Sequence, residues 1–508
     1  VLSASNDGIH GKDGFFMNGG TISILSSGDG VDAGGGSLEI SGGTLSITSI
    51  SDDVKGMNCD TTLLISGGNL DLNIAGNQSK GIHSDQEMFI SGGAISITTS
   101  GGVVLEASGI GYDPSYCTAI NSNGNITITG TDITISSTGA AGKGIACDGN
   151  MEISDADIRI TASGNGAKYT TSTGSADAYF GSCLNTDGDL YIQSGEYSLI
   201  HSGSGGRGIS TDGALDIGDA SSDPVLNVTT SGSKITITSS SGTRPGDSSG
   251  EYAESKAIKC DGIVTIKSGE MYISSADDGI KSTTGIIQNG GLVQITKSIE
   301  GVESPSIQIN DGEINIVSSD DGFNATKGNG GETNDGSLLA INGGHIVLNA
   351  TTGDPLDSNG NITISGGTTI VHGPQSSPEV GMDVNGTCLI SGGFLVVSGT
   401  NSNMTEGASS GSSQYSILVK SNTSIAANSI FHIEDSDGNN VLSFAPMRTY
   451  YSIVFSSDQL KTGTTYKIYT GGSDSGTLDN GLYTGGTYTP GTLRKSFTIS
   501  SSVTTVSF

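Results

Sequence analysis

Acidic residues recur at one position of a repeated segment, in a pattern that could bind a cation. Asp7, Asp29, Asp52, Asp278, Glu300, Asp321 and Asp354 each stand two places before an apolar residue that marks a repeat. Second acids lie beside them at Asp53, Asp277 and Asp320. If equivalent positions of successive repeats stack, these residues form two acidic ladders. Carboxylates about 5 Å apart repel by roughly 1–3 kcal/mol per pair. Raised pKa values or a bound cation would relieve that repulsion. Oxygen-only ligands beside glycine turns suit Ca²⁺. The candidate metal ligands are therefore Asp7, Asp29, Asp52 and Asp53 in one ladder, and Asp277, Asp278, Glu300, Asp320, Asp321 and Asp354 in the other. A solvated acidic face is the plainer alternative. No segment has EF-hand spacing, so the expectation rests on stacking alone.

Between the ladders the same position carries Lys80, Lys143, Arg207 and Lys256. Asp85, Asp148, Asp212 and Asp261 follow five residues later in each case. The common spacing predicts a row of surface ion pairs, each contributing little alone.

The elements that must hold these residues are visible as a repeat. Its apolar anchors are Ile9, Val31, Val54, Ile82, Ile120, Ile145, Leu184, Ile209, Ile258, Ile280, Val302, Phe323, Leu356 and Met382, and the shortest intervals are 21 to 23 residues. Within a unit, apolar residues alternate with Ser or Thr, as in Ile126-Thr127-Ile128 and Ile235-Thr236-Ile237. That two-residue period belongs to a strand with one buried face. Gly-Gly pairs at 42–43, 67–68, 92–93, 343–344, 366–367 and 392–393 supply tight corners between strands. No segment shows helical periodicity. Three short strands per repeat predict an all-β chain whose residues 1–416 form a parallel β-helix, a solenoid of about 14 coils with inserted loops. From Ile417 the repeat fades and Tyr and Phe become dense, so 417–508 is expected to be a small all-β domain capping the solenoid.

Charge excludes other classes. Lys and Arg total 21 against 52 Asp and Glu, a net charge of −31. Residues 417–508 hold six of each sign, so the excess lies in 1–416. Such a chain repels phosphate backbones, which argues against nucleic-acid binding. No apolar run is long enough for a membrane span. The opening VLSASNDGIHG lacks a signal peptide's basic and apolar regions. The Ser/Thr/Gly-rich composition favours a secreted, extracellular protein from which a leader has been removed.

Catalysis is not expected. A lyase acting beside a uronate carboxylate needs an Arg or Lys base, yet Arg159, Arg207, Arg244, Arg448 and Arg494 are the only arginines and none lies in a ladder repeat. A hydrolase needs a unique carboxylate pair, whereas these pairs recur. The six His read as scattered turn residues, and the six Cys as structural thiols, reduced or locally paired.

The units S-S-D-D-G-F (318–323) and S-A-D-D-G-I (275–280), with I-S-G-G-x-L/I-x-I after other anchors, resemble the bacterial cell-surface carbohydrate-binding β-helix family. F-A-P-M-R-T-Y-Y-S-I-V-F-S-S and G-L-Y-T-G-G-T-Y are similar to the terminal module of the same proteins. The resemblance implies a right-handed parallel β-helix, Ca²⁺ near the Asp-Asp turns, and binding of an acidic polysaccharide such as polygalacturonate or another pectin-like chain. Ca²⁺ shared between ladder and uronate would bridge two polyanions. Without Trp, sugar stacking would fall to Tyr191, Tyr197, Tyr272 or the C-terminal tyrosines, although a core role suits most of them. The rival expectation is structural. The first anchor is Ile9 and no cap precedes it, so the solenoid end is predicted to add subunits head to tail in a filament or adhesin.

Overall fold

A computed structural model of the chain describes residues 1–219, 221–238, 250–328 and 333–508. Arg244 lies outside the described residues. All regular elements described are strands. No helix is long and apolar enough to cross a membrane. The chain divides into two compact units, Val1–Lys281 and Ser282–Phe508.

In the first unit the repeat builds two sets of parallel strands. Long strands Phe15–Ser26, Leu38–Ser49, Leu63–Ile74 and Met88–Thr99 pair side by side, with Leu38 opposite Leu63 and Leu63 opposite Met88. Further along, the long strand is split in two, as in Met151–Ser154 and Ala156–Ala162. The Gly-Gly corners act as expected. Gly68 has φ 97°, a left-handed conformation that favours glycine. The second set carries the anchors. Ile82 pairs with Ile120, Ile120 with Ile145, Ile145 with Leu184, Leu184 with Ile209, and Ile209 with Ile258. All six anchors are buried. Like aliphatic residues thus stack on themselves, each fully buried Ile or Leu contributing about 1.5–3 kcal/mol.

One register differs from the sequence expectation. Met57, not Val54, pairs with Val31 and with Ile82. The extra residues before Met57 form a turn in which Asp53 takes φ 54°. Val54 is buried but stands outside the anchor column.

Three hairpins leave the first unit: Val104–Ser108 with Gly111–Ser115, Ala167–Thr170 with Ala176–Tyr179, and Ile235–Thr238 with Glu251–Ala253. They touch in series. Tyr112 bridges to Thr171, and Ala178, Ile237 and Ala253 share a small apolar core with Phe180 and Ile235.

In the second unit, Val302 pairs with Phe323, Phe323 with Leu356, and Leu356 with Met382, all parallel. The succession of parallel repeats ends at Phe394–Gly399, which takes Tyr450–Ser456 as an antiparallel neighbour. Ser416–Ile425 pairs with the same strand and, in parallel, with Val503–Ser507. A separate antiparallel sheet holds Phe431–Asp435, Asn440–Phe444, Thr465–Thr470 and Thr492–Thr498. Phe431, Phe444 and Tyr466 of this sheet share one core with Tyr450 and Phe455 of the strand Tyr450–Ser456.

Candidate functional site

The acidic position has a structural job that the sequence did not disclose. Asp7 Oδ1 accepts the amide of Asp29 at 3.0 Å, and Asp29 Oδ1 accepts the amide of Lys55 at 2.7 Å. In the second unit Asp321 Oδ1 accepts the amide of Asp354 at 2.7 Å, and Asp354 accepts that of Val380. Each acid therefore caps the main chain of the same position one repeat later. Replacing Asp29 by Ala strands the Lys55 amide. It should lower stability by about 1–3 kcal/mol in EDTA as well as in Ca²⁺, as read by chemical denaturation. An effect confined to Ca²⁺ buffer would show that the cap is immaterial.

The revised register moves Asp52 and Asp53 out of the column, where Lys55 stands instead, opposite Lys80. Both acids are exposed on the turn; Asp52 Oδ1 accepts the Asn77 amide at 2.7 Å, and Asp53 lies 3.8 Å from Lys55 Nζ. Asp277 and Asp278 are buried against Lys256, which also meets Glu254 at 2.6 Å. Burial alone would lower the Lys256 pKa, but Asp278, Asp277 and Glu254 together raise it. Glu300 is half-buried before the strand Val302–Ser304, and Asp320 lies on the exposed turn beside Asp321.

The middle cations do not form the ion pairs expected from their spacing. Lys143 Nζ lies 4.1 Å from the Tyr116 ring centroid, and the Arg207 guanidinium 4.3 Å from that of Phe180. Lys80 donates to the Tyr116 carbonyl. Asp85 pairs with His83, and Lys259 takes the Asp261 that was assigned to Lys256. For Lys143 and Arg207 the reason is the hairpins. Tyr116 and Phe180 each stand four places before an anchor, where a hairpin rejoins the sheet, and each ring covers the cation of the next repeat. A ring face stabilises a partly desolvated cation; a carboxylate there would face repulsion.

Among the described residues, clusters of possible ligands that lie within a single unit draw on a second position, one place after each anchor. Asp7, His10 and Asp32 form one and Asp354, Asp357 and Asp383 the other, with one ligand atom from each residue lying within 4.8 Å of the others. His10 Nδ1 is 2.7 Å from Asp32 Oδ2. The second cluster is all carboxylate and suits a hard divalent cation. The Asp354 carboxyl is pushed up to about 8, by burial first and then by Glu379, Asp383 and Asp357. Asp321, beside it, is also raised by burial, with Asp357 and Asp320 adding. Only Asp354 of this triad was legible as a ligand. Asp357 and Asp383 stand one place after their anchors, outside the acidic position that the sequence singles out; their signal is the register of Glu303, Asn324, Asp357 and Asp383 as one outward column.

The same column in the first unit runs His83, Asn121, Ala146, Asn185, Ser210 and Lys259. Ala146 breaks the row of polar side chains and leaves a gap. A cleft of about 360 Å³ opens there, with Tyr116, Lys143, Asn121, Asn185, Asp148 and Asp187 around it. Asn121 and Asn185 are two strand spacings apart, roughly 10 Å. His83 Nδ1 lies 3.0 Å from Asn121 Oδ1 and its Nε2 3.1 Å from Asp85. Burial lowers the His83 pKa, although the Asp85 and Asn121 contacts oppose it. Burial also draws Lys143 down to about 8, with Asp187 opposing. The cleft thus offers an aromatic edge, carboxamides and charges of both signs, an arrangement suited to a polar ring with several hydroxyls. Of the tyrosines considered from sequence, Tyr197 is core and Tyr272 is exposed; Tyr116 was passed over.

The thiols of all six cysteines are free and buried, and burial pushes Cys388 up to about 12 and Cys147 up to about 11. Arg207 lies under Phe180, Arg159 is 3.7 Å from Asp157, Arg494 donates to Thr470, and Arg448 is held by main-chain carbonyls. A family model described as carbohydrate-binding domain-containing protein matches residues 1–111 and 110–301, more than half of the chain. No curated protein and no solved structure matches.

Proposed function

Since the chain belongs to the carbohydrate-binding domain-containing family, we propose that it is a non-catalytic, extracellular polysaccharide-binding protein that takes a sugar ring over Ala146, beside Tyr116. The carrying observation is that this cleft, lined from Lys80 to Asp187, falls wholly inside the matched residues. Asn121 and Asn185 would bond to hydroxyls on either side of the ring. Lys143 favours an acidic sugar, so a polygalacturonate-like, pectin-like chain is the proposed ligand. The in-register parallel pairing within each unit supports the reading of these repeats as a parallel β-helix. The Asp354, Asp357 and Asp383 cluster supports Ca²⁺ as the bound ion, because three close carboxylates repel until a cation joins them.

Affinity electrophoresis in polygalacturonate tests the site. Tyr116→Ala should weaken retardation about tenfold, since it removes the ring edge from the cleft and strips Lys143 of the face it lies against. Undiminished retardation of this variant would remove the cleft from the proposal. EDTA should weaken the wild-type protein's retardation if Ca²⁺ bridges protein and uronate. Unchanged retardation in EDTA would separate glycan binding from the metal.

A further inference from the structure

The second unit has a cleft of its own, about 310 Å³, on the face of the parallel strands Leu292–Lys297, Glu313–Ser318 and His345–Ala350. Gln294 and Asn315 stand opposite one another on neighbouring parallel strands, and Val317 is opposite Asn349 on the next pair. Parallel strands are about 4.8 Å apart, close to the length of one sugar unit in an extended chain. Met447 and Asn480 make the overhanging wall. Among the described residues that line this cleft there is neither a carboxylate nor an ammonium.

The wall is fixed by groups that have no other evident use. Arg448 Nε donates to the Gly373 carbonyl at 2.9 Å, and its other nitrogens to Asn349 Oδ1 and to the carbonyls of Ala350 and His372. The fully buried His372 ring stacks on Phe444 with centroids 5.2 Å apart. Its Nδ1 accepts the Met447 amide at 3.2 Å and its Nε2 donates to the Asn480 carbonyl at 2.9 Å. That pattern requires a neutral imidazole, and burial holds the His372 pKa down at about 4. Asn315 is held by donating to Glu313 Oε1 at 2.8 Å, and its carboxamide has a carbonyl and a second N–H besides.

We propose that this cleft is a second saccharide site, specific for neutral pyranose chains. Carboxamides both donate and accept, so they match vicinal hydroxyls without a charge to desolvate. Val317 and Met447, each more than a third exposed, offer an apolar surface to the C–H face of a ring. The fixed wall keeps the site formed before the ligand arrives, which limits the ordering cost of binding. The site shares no residue with the Tyr116 cleft and stands or falls separately from it.

Isothermal titration of the full chain with xylohexaose, mannohexaose and laminarihexaose tests it. At least one should bind saturably, in EDTA as in Ca²⁺. The double change Gln294→Ala and Asn315→Ala should weaken that binding about tenfold or more. Val317→Asp, at an exposed position that leaves the fold intact, should weaken it similarly. Tyr116→Ala should leave it within about twofold. No saturable binding of any of the three would overturn the proposal, as would binding unaffected by both second-unit variants. Loss on Tyr116→Ala alone would assign neutral-sugar binding to the first cleft and also overturn it. Failure of polygalacturonate to depend on Tyr116 would leave this site untouched.

Discussion

Replacing Lys256 by Met should lower the stability of the protein by about 3–5 kcal/mol at pH 7, the range for breaking a buried ion pair from one side. The ammonium is only 6% exposed and serves Glu254, Asp277 and Asp278 together. Without it, three carboxylates share a poorly solvated space, and their repulsion is added to the lost attraction. The pH dependence gives the signature. In the wild type the raised Lys256 pKa means its contribution is fully present below the ordinary lysine value near 10.5 and is lost only as pH rises through the higher folded value. The ammonium therefore stays charged on acidification. In Lys256→Met the freed carboxylates bind protons more readily when folded, so the deficit should shrink as pH falls from 7 to 5. Denaturant unfolding at both pH values measures it. A pH-independent deficit would mean that lost packing, not charge, dominates.

The second large effect is expected at Asp354. Its folded pKa of about 8 lies above the ordinary aspartate value near 3.9. The folded state then holds a proton that the unfolded chain releases between these values. Stability without metal should consequently fall as pH rises from about 4 to 8 and level off above that. One carboxyl shifted this far corresponds to at most about 6 kcal/mol, shared among the interacting acids. Ca²⁺ favours the charged form, so millimolar Ca²⁺ should remove the slope, and Asp354→Asn should remove it in EDTA. Melting curves across pH, with EDTA and with Ca²⁺, decide the matter. A slope that persists in Ca²⁺ would show that Asp354, Asp357 and Asp383 do not hold the ion.

Much of the architecture was legible because its signal is periodic. The apolar anchors, the alternation along Ile126–Thr129 and the Gly-Gly corners each follow from which side chains can stack on themselves or enter a tight turn. The third repeat misled because Val54 and Met57 are both apolar and both buried. Only strand pairing distinguishes them, and the Asp52-Asp53 pair made the wrong choice attractive. The middle repeats misled for another reason. Five-residue spacing suggests an ion pair, but a hairpin inserted far away in sequence brings Tyr116 or Phe180 onto the cation first. The Tyr116 cleft was hidden for the same cause: its floor is a gap at Ala146, and a missing side chain leaves no motif.

The three hairpins have a further consequence for how such a chain can change. Each enters and leaves between two strands whose pairing partners lie in other repeats, so its length is decoupled from the register of the sheets. Loop closure is only weakly sensitive to length. Insertion is thus the inexpensive kind of variation here, whereas a single residue added within a strand would turn every side chain beyond it to the other face. Recognition built where a hairpin meets the sheet can be exchanged wholesale by grafting loops, while the scaffold beneath keeps its sequence.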